Sequence, residues 1–313
     1  MKRFFKWVLI IVCILFIGFS YYISDQVANG VTHLADREES SQNSLDFLKK
    51  YNFDLDKYKQ EFSVEVSQIA STHGDHQIPI LASKTKSDSK GTVILIHGLG
   101  ASKESTLIHG RMFQDLGYDI VAYDQRSSGD NVAETNTFGV LESKDLIDLV
   151  DWVSEKISDP DQLIVWGESF GGITAGIASD AIQDKIDGLI LDSPMENGRT
   201  MVDEEMAKIE KESGLPAAYM TVLGDWNLRL LQGFSLSESD VTNHIQKVKT
   251  PLLVFHSKDD SVIPFEMGQA IYQASPAQNK KMIEVDQGEH AMLVVEQPDL
   301  YRQSLEEFLE NIQ

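Results

Sequence analysis

The chain has one cysteine, Cys13, and it lies in an apolar run near the N-terminus. Beyond that run there is no thiol. A disulfide framework, a thiolate nucleophile and a Cys-based metal site are therefore excluded from the rest of the chain. Basic residues are also scarce: 27 Lys and Arg stand against 49 Asp and Glu, a formal charge of −22. So acidic a surface repels phosphate backbones, so nucleic acid is not expected as a partner. Internal repeats and low-complexity tracts are missing too. What is present is apolar material. With 313 residues, 42% of them hydrophobic, the chain can bury one large α/β core or two smaller ones.

The N-terminus is asymmetric. Lys2, Arg3 and Lys6 precede an apolar stretch from Trp7 to Tyr22, and Asp25, Asp36, Glu38 and Glu39 follow it. A basic flank before an apolar core places the N-terminus inside and the bulk of the chain outside. Phe4 to Ile23 supplies the roughly 20 residues a spanning helix needs, with Lys6 snorkelling to the interface. A cleaved signal peptide is the alternative, but the Ser20-Tyr21-Tyr22 exit is too bulky for a cleavage site. Residues 1–24 are expected to be an uncleaved single-pass membrane anchor with the following domain extracellular; cleavage would give a secreted form. Residues 25–60 are polar and charged, with a helix-like stretch near Leu45 to Tyr51, and are expected to be a membrane-proximal stem.

From residue 61 the patterning changes. Phe62 to Ile69 alternates as a half-buried strand does, and Gln77 to Ala82 returns after a His73-Gly74-Asp75-His76 turn. His73 and His76 lack a carboxylate or cysteine cluster to complete a metal site. Short apolar strands then alternate with helical stretches. The strands are Thr92 to Ile96, Asp119 to Tyr123, Leu163 to Trp166, Ile186 to Leu191, Leu252 to Phe255 and Lys281 to Val285. The helices are Thr106 to Leu116, Gly139 to Val153, Phe170 to Ala178 and a closing one from Asp299 to Ile312. Such strands, mostly apolar and separated by helices, predict an α/β fold with a mostly parallel sheet and helices on both faces. Between Pro194 and Val248 no strand is evident. Met201 to Glu212 and Leu215 to Leu231 read as helices, so residues 195–243 are expected to be an inserted helical cap and residues 61–194 and 244–313 the core.

Three motifs carry chemistry. Gly167-Glu168-Ser169-Phe170-Gly171 follows an apolar strand and opens a helix, the context that makes Gly-x-Ser-x-Gly a nucleophile elbow. The turn lifts the Ser169 hydroxyl above the strand end, where a helix N-terminus favours developing negative charge. His97-Gly98-Leu99-Gly100 ends an earlier strand. Its glycines let the loop approach the nucleophile, so that the N–H groups of Leu99 and Phe170 form an oxyanion hole. His97 itself is expected to pin that loop. A serine nucleophile of this kind needs an acid and then a histidine later in the chain. Asp259 or Asp260 follows the strand Leu252 to Phe255, and His290 follows Lys281 to Val285. All three groups fall at C-terminal strand ends, where open α/β sheets place ligands.

With HGLGASKES, YDQRSSG, GESFGG, HSKDDSVIP and GEHAML in place, the chain from Phe62 onward resembles the α/β-hydrolase superfamily, and within it bacterial membrane-anchored hydrolases of the serine-aminopeptidase-like group. The resemblance implies the α/β-hydrolase fold. Matching the family's Asp-x-x-Val-Pro ending, it also selects Asp260 over Asp259 to orient His290. Ser127-Ser128-Gly129 stands where relatives often have Gly-His-Gly at the pocket rim. The expected activity is hydrolysis of a small-molecule carboxylic ester or related acyl bond through an acyl-enzyme on Ser169, with no cofactor or metal. An aminopeptidase would need a carboxylate for the substrate ammonium, with Glu204, Glu205, Glu210 and Glu212 as candidates; a non-catalytic surface binding protein would have no need of Ser169, Asp260 and His290 together.

Overall fold

The computed structural model describes residues 1–156 and 161–312. The chain begins with a long helix, α1 (Lys2–Thr32), followed by α2 (Arg37–Lys50) and α3 (Leu55–Glu61). A hairpin of β1 (Val64–Ala70) and β2 (Gln77–Ser83) opens the sheet. Then come β3 (Gly91–Ile96), α4 (Leu107–Asp115), β4 (Asp119–Tyr123), α5 (Glu142–Ser154), β5 (Gln162–Glu168), α6 (Phe170–Ile182) and β6 (Gly188–Asp192). Helices α7 (Gly198–Ser213), α8 (Ala217–Asn227) and the single turn α9 (Thr242–Ile245) precede β7 (Leu252–Ser257). The chain closes with α10 (Phe265–Ala274), β8 (Lys280–Val285), the turn α11 (Leu293–Glu296) and α12 (Pro298–Asn311).

The eight strands lie in the order β1-β2-β4-β3-β5-β6-β7-β8. From β4 to β8 every pairing is parallel; β1 and β2 join antiparallel at one edge. This is the α/β architecture the strand–helix alternation calls for. Strands β3, β6 and β7 are buried along their whole length, so most of their residues are apolar. The core joins sheet to helices through Trp166, Phe255 and Tyr301. The Phe255 and Tyr301 rings stack at 4.2 Å, and Trp166 Nε1 donates to the Tyr301 hydroxyl at 2.9 Å. The chain winds one way from β3 and the other way from β5, and these strands are neighbours, with Ile96 paired to Gly167. Their C-terminal ends thus border a topological switch point, where open α/β sheets leave a crevice.

Two compact units are present. One comprises Met1–His33 and Gly198–Glu238; the other comprises Leu34–Asn197 and Ser239–Gln313. In the first, α1 is apolar and exposed over its N-terminal half, long and apolar enough to cross a membrane. Its C-terminal half packs on α8. Ser24 Oγ donates to the Leu223 carbonyl at 2.8 Å, Ser20 and Tyr219 hydroxyls lie 2.7 Å apart, and Gly224 lets Val27 approach closely. Helix α1 therefore continues to Thr32, past the polar residues that read as the start of a stem. In the second unit, the stretch read as the rest of that stem forms α2 and α3. Their Leu48 and Tyr58 are buried in the body of the unit. Helix α10 has no counterpart in the sequence reading.

Candidate active site

The turn from β5 to α6 is strained in the way a nucleophile elbow requires. Ser169 has φ 51° and ψ −114°, outside the right-handed regions an L-residue prefers. Its amide donates to the Asp192 carbonyl at 2.9 Å, and its carbonyl accepts from Gly172 and Ile173. The two glycines are steric necessities. A Cβ on Gly167 would meet the Gly171 carbonyl oxygen at 2.4 Å, and one on Gly171 would meet the Ile96 oxygen at 2.2 Å.

His290 follows β8 and reaches the end of β7. Its Nδ1 lies 2.7 Å from Asp260 Oδ2. Asp260 is fixed from its other oxygen, Oδ1, which accepts the N–H groups of Val262 and Ile263 at 2.9 Å each. Burial alone would push this carboxyl up. The hydrogen bonds from His256 and His290, the charge of His290 and the Ile263 N–H outweigh burial and hold it well below the usual carboxylate range. An ionised Asp260 takes the proton-bearing Nδ1 of His290, which leaves Nε2 as the basic nitrogen. That Nε2 is buried and has no hydrogen-bond partner. His290 and Ser169 line one cavity of 250 Å³, together with Gly98, Leu99, Glu168 and Met292. No Ser169–His290 hydrogen bond is formed among the described residues. Asp259 is exposed, its amide directed at Ser257 Oγ.

The loop after β3 lies beside the elbow. A Cβ on Gly98 would come within 3.5 Å of Ser169 Cβ. His97 pins this loop: Nδ1 donates to the Gly98 carbonyl at 2.7 Å, and Nε2 accepts the Gln125 amide at 3.0 Å. Burial lowers the His97 pKa, which keeps it neutral in that role. The Gly98 amide donates to Glu168 Oε1 at 3.2 Å. The amides of Leu99 and Phe170 make no hydrogen bond within the protein among the described residues. Ser127 and Gly129, both at φ 55°, do not line the cavity; Gly129 N–H instead donates to Ser40 Oγ at 2.9 Å.

Behind the elbow sits a buried polar cluster that sequence reading missed. The His109 ring lies 4.0 Å from Glu168 Oε2 and 3.7 Å from Asp192 Oδ2. The Tyr301 hydroxyl donates to Asp192 at 2.9 Å. Burial, and then the Asp192 carboxylate, push Glu168 up to about 8, while burial pushes Asp192 up to about 6. Burial lowers His109 to about 3. Glu168 was visible within the elbow motif itself; nothing in the sequence joined it to His109. His76, the turn histidine, pairs with Asp145 at 3.0 Å, and Arg126 grips the same carboxylate at 2.8 Å. Glu204, Glu205, Glu210 and Glu212 are all exposed on α7.

The α/β hydrolase fold model matches residues 91–220, and the serine aminopeptidase, S33, model matches residues 217–298. The chain is 30% identical over 227 residues to protein YqkD of Bacillus subtilis, across 72% of this chain and 73% of that one. This chain belongs to the α/β-hydrolase family. The hydrolase is also 27% identical to the lysophosphatidylserine lipase ABHD12 of Xenopus tropicalis, over 72% of its own length and 59% of the lipase. It is 29% identical to the mouse lipase of that name over 64% of its own length and 50% of the lipase, so it spans little more than half of these relatives. Among solved structures, the Pyrococcus furiosus esterase Pf2001 superposes with a TM-score of 0.63 at 21% identity, covering 81% of this hydrolase and 93% of the esterase. Est1E of Butyrivibrio proteoclasticus gives 0.59 at 17% identity, covering 78% and 98%. At those identities the likeness is one of fold.

Proposed function

We propose that this protein is a serine hydrolase that cleaves a carboxylic ester through an acyl-enzyme on Ser169. The observation that carries the reading is the unpartnered His290 Nε2, oriented by Asp260 and lining the same cavity as Ser169. Ser169 Oγ attacks the ester carbonyl and gives its proton to His290 Nε2. Asp260 balances the imidazolium and fixes its tautomer. The N–H groups of Leu99 and Phe170, the second at the N-terminus of α6, take the oxyanion, each worth roughly 10²–10³ in rate. His290 then protonates the departing alcohol. Water gives a proton back to the histidine and attacks the acyl-enzyme, and Ser169 is regenerated. No step calls for a metal or cofactor.

The S33 aminopeptidase likeness suggests a second reading, since that model covers the region of His290 and Asp260. An aminopeptidase needs an anion for the substrate ammonium. The carboxyl that lines the cavity, Glu168, stays protonated up to about pH 8, which favours a neutral ester. The likeness to the ABHD12 lipases makes a lipid ester the first substrate to try. A panel of p-nitrophenyl esters, lysophospholipids and aminoacyl-arylamides, assayed on the full chain in detergent, tests the reading. Turnover of esters is expected; turnover of arylamides alone would replace this reading with the aminopeptidase.

The exposed apolar half of α1 is proposed to span the cell membrane once, with Lys2, Arg3 and Lys6 inside and the hydrolase unit outside.

A further inference from the structure

Helix α2 lies outside the residues matched by the family models, which begin at residue 91. It is nevertheless built as a firm element. Asp36 caps it, accepting the amides of Glu38 and Glu39 at 2.9 and 3.0 Å. Glu38 and Glu39 occupy its first turn and Lys49 and Lys50 its last, the arrangement its dipole favours. The buried face is Ser40, Ser44 and Leu48, each four residues from the next.

Two of its side chains hold the loop after β3. Ser44 Oγ accepts the Ser102 amide at 2.7 Å while donating to the Ser40 carbonyl at 2.9 Å. Asn43 Nδ2 donates to the Gly100 carbonyl at 3.2 Å. Gly100 sits at φ 71°, with nothing within 4 Å of where a Cβ would lie. Leu99 directly precedes this anchored stretch, so its amide is held from Gly100 and Ser102 on one side and, on the other, from Gly98, whose amide donates to Glu168. One helical turn further on, the half-buried Phe47 ring lines the same cavity as Ser169 and His290. That cavity, at 250 Å³, falls below the roughly 300–1,000 Å³ of sites for drug-sized ligands, and Phe47 carries the one phenyl ring among the residues that line it.

We propose that α2 is part of the catalytic centre: Ser44 positions the oxyanion loop, and Phe47 sets the size of the apolar group, acyl or alcohol, that the cavity accepts. The proposal rests on the serine-hydrolase reading above. Ser44 acts through the Leu99 loop and is a positioning residue. Phe47 touches substrate and decides specificity.

The test uses the full chain in detergent with two ester series, p-nitrophenyl esters of lengthening acyl chain and acetates of lengthening alcohol. Phe47→Ala should raise the long-to-short ratio of kcat/KM by about tenfold in one series, and Phe47→Trp should lower it, the scale expected when a pocket gains or loses methylene contacts. Ser44→Ala should lower kcat by about tenfold with KM within about twofold, because a misplaced donor weakens only the transition state. A merely structural serine would lower the melting temperature and leave kcat of the folded protein unchanged. Fluorophosphonate labelling of Ser169 in each variant separates the two readings. Labelled, active variants with unchanged chain-length profiles and unchanged kcat would overturn the role of α2. A wild-type chain that neither labels nor turns over ester would overturn the serine-hydrolase reading, and this proposal with it.

Discussion

The 2.7 Å contact between His290 Nδ1 and Asp260 Oδ2 joins two loops 30 positions apart and fixes which ring nitrogen of the histidine is free. Asp259, next in the chain, is exposed and does not reach the ring. Asp260→Asn should therefore cost about 10⁴-fold in kcat, since an amide supports the wrong tautomer. Asp259→Asn should stay within a few-fold of wild type. Steady-state kinetics on one good ester decides it, and a larger loss at Asp259 would reverse the assignment.

The elbow is expected to admit no side chain at position 171. In Gly171→Ala the new Cβ would face the Ile96 oxygen at 2.2 Å and the His97 oxygen at 2.8 Å, both main-chain atoms. We expect a loss of about 3 kcal/mol or more. Gly100→Ala, whose Cβ would meet nothing within 4 Å, should cost only the left-handed backbone penalty of about 1–2 kcal/mol. Urea denaturation of both variants measures the contrast; equal losses would mean the turn is more open than described.

The cluster behind Ser169 should make stability depend on pH. Glu168 is raised from 4.5 to about 8 and Asp192 from 3.8 to about 6. Above about pH 4–5 the unfolded chain has released protons that the folded chain still holds. Stability is full below that range and falls as pH rises through about 6 and then about 8. In Glu168→Gln the amide oxygen still accepts the Gly98 N–H, but the group no longer titrates. Its melting temperature should fall less than that of wild type between about pH 5 and pH 8, at about 2–4 °C for each kcal/mol. Parallel curves for the two proteins would place the proton elsewhere.

The elbow and the parallel sheet were legible because each rests on local chemistry. Gly167 and Gly171 flank Ser169 where no side chain fits, and β3, β6 and β7 are buried end to end and so mostly apolar, with polar residues only near their ends. The choice of Asp260 came from the family motif, because only the amides of Val262 and Ile263 show which carboxylate turns inward. Helix α2 read as stem for a physical reason. Two of its three buried positions, Ser40 and Ser44, are serines that serve backbone amides of distant loops, so only the stretch near Leu45 to Tyr51 read as helix-like. His109, Glu168 and Asp192 likewise read as ordinary polar residues, because their burial depends on tertiary packing. The extension of α1 to Thr32 depends on α8, nearly 200 residues later in the chain.

If α1 anchors the protein, full-length chain should sediment with membranes. Protease added to cells stripped of their wall should digest the hydrolase unit while the short basic N-terminus remains protected. A shortened soluble form in the medium would instead indicate cleavage, and a protected soluble chain would reject export.

Covalent capture decides whether Ser169 is the nucleophile. The full chain in detergent is treated with a fluorophosphonate and digested, and the modified residue is located by mass spectrometry. A single adduct on Ser169 is expected, absent from Ser169→Ala, with ester turnover in that variant lower by about 10⁴-fold or more. An adduct on another residue, or a Ser169→Ala variant that retains wild-type turnover, would contradict that assignment.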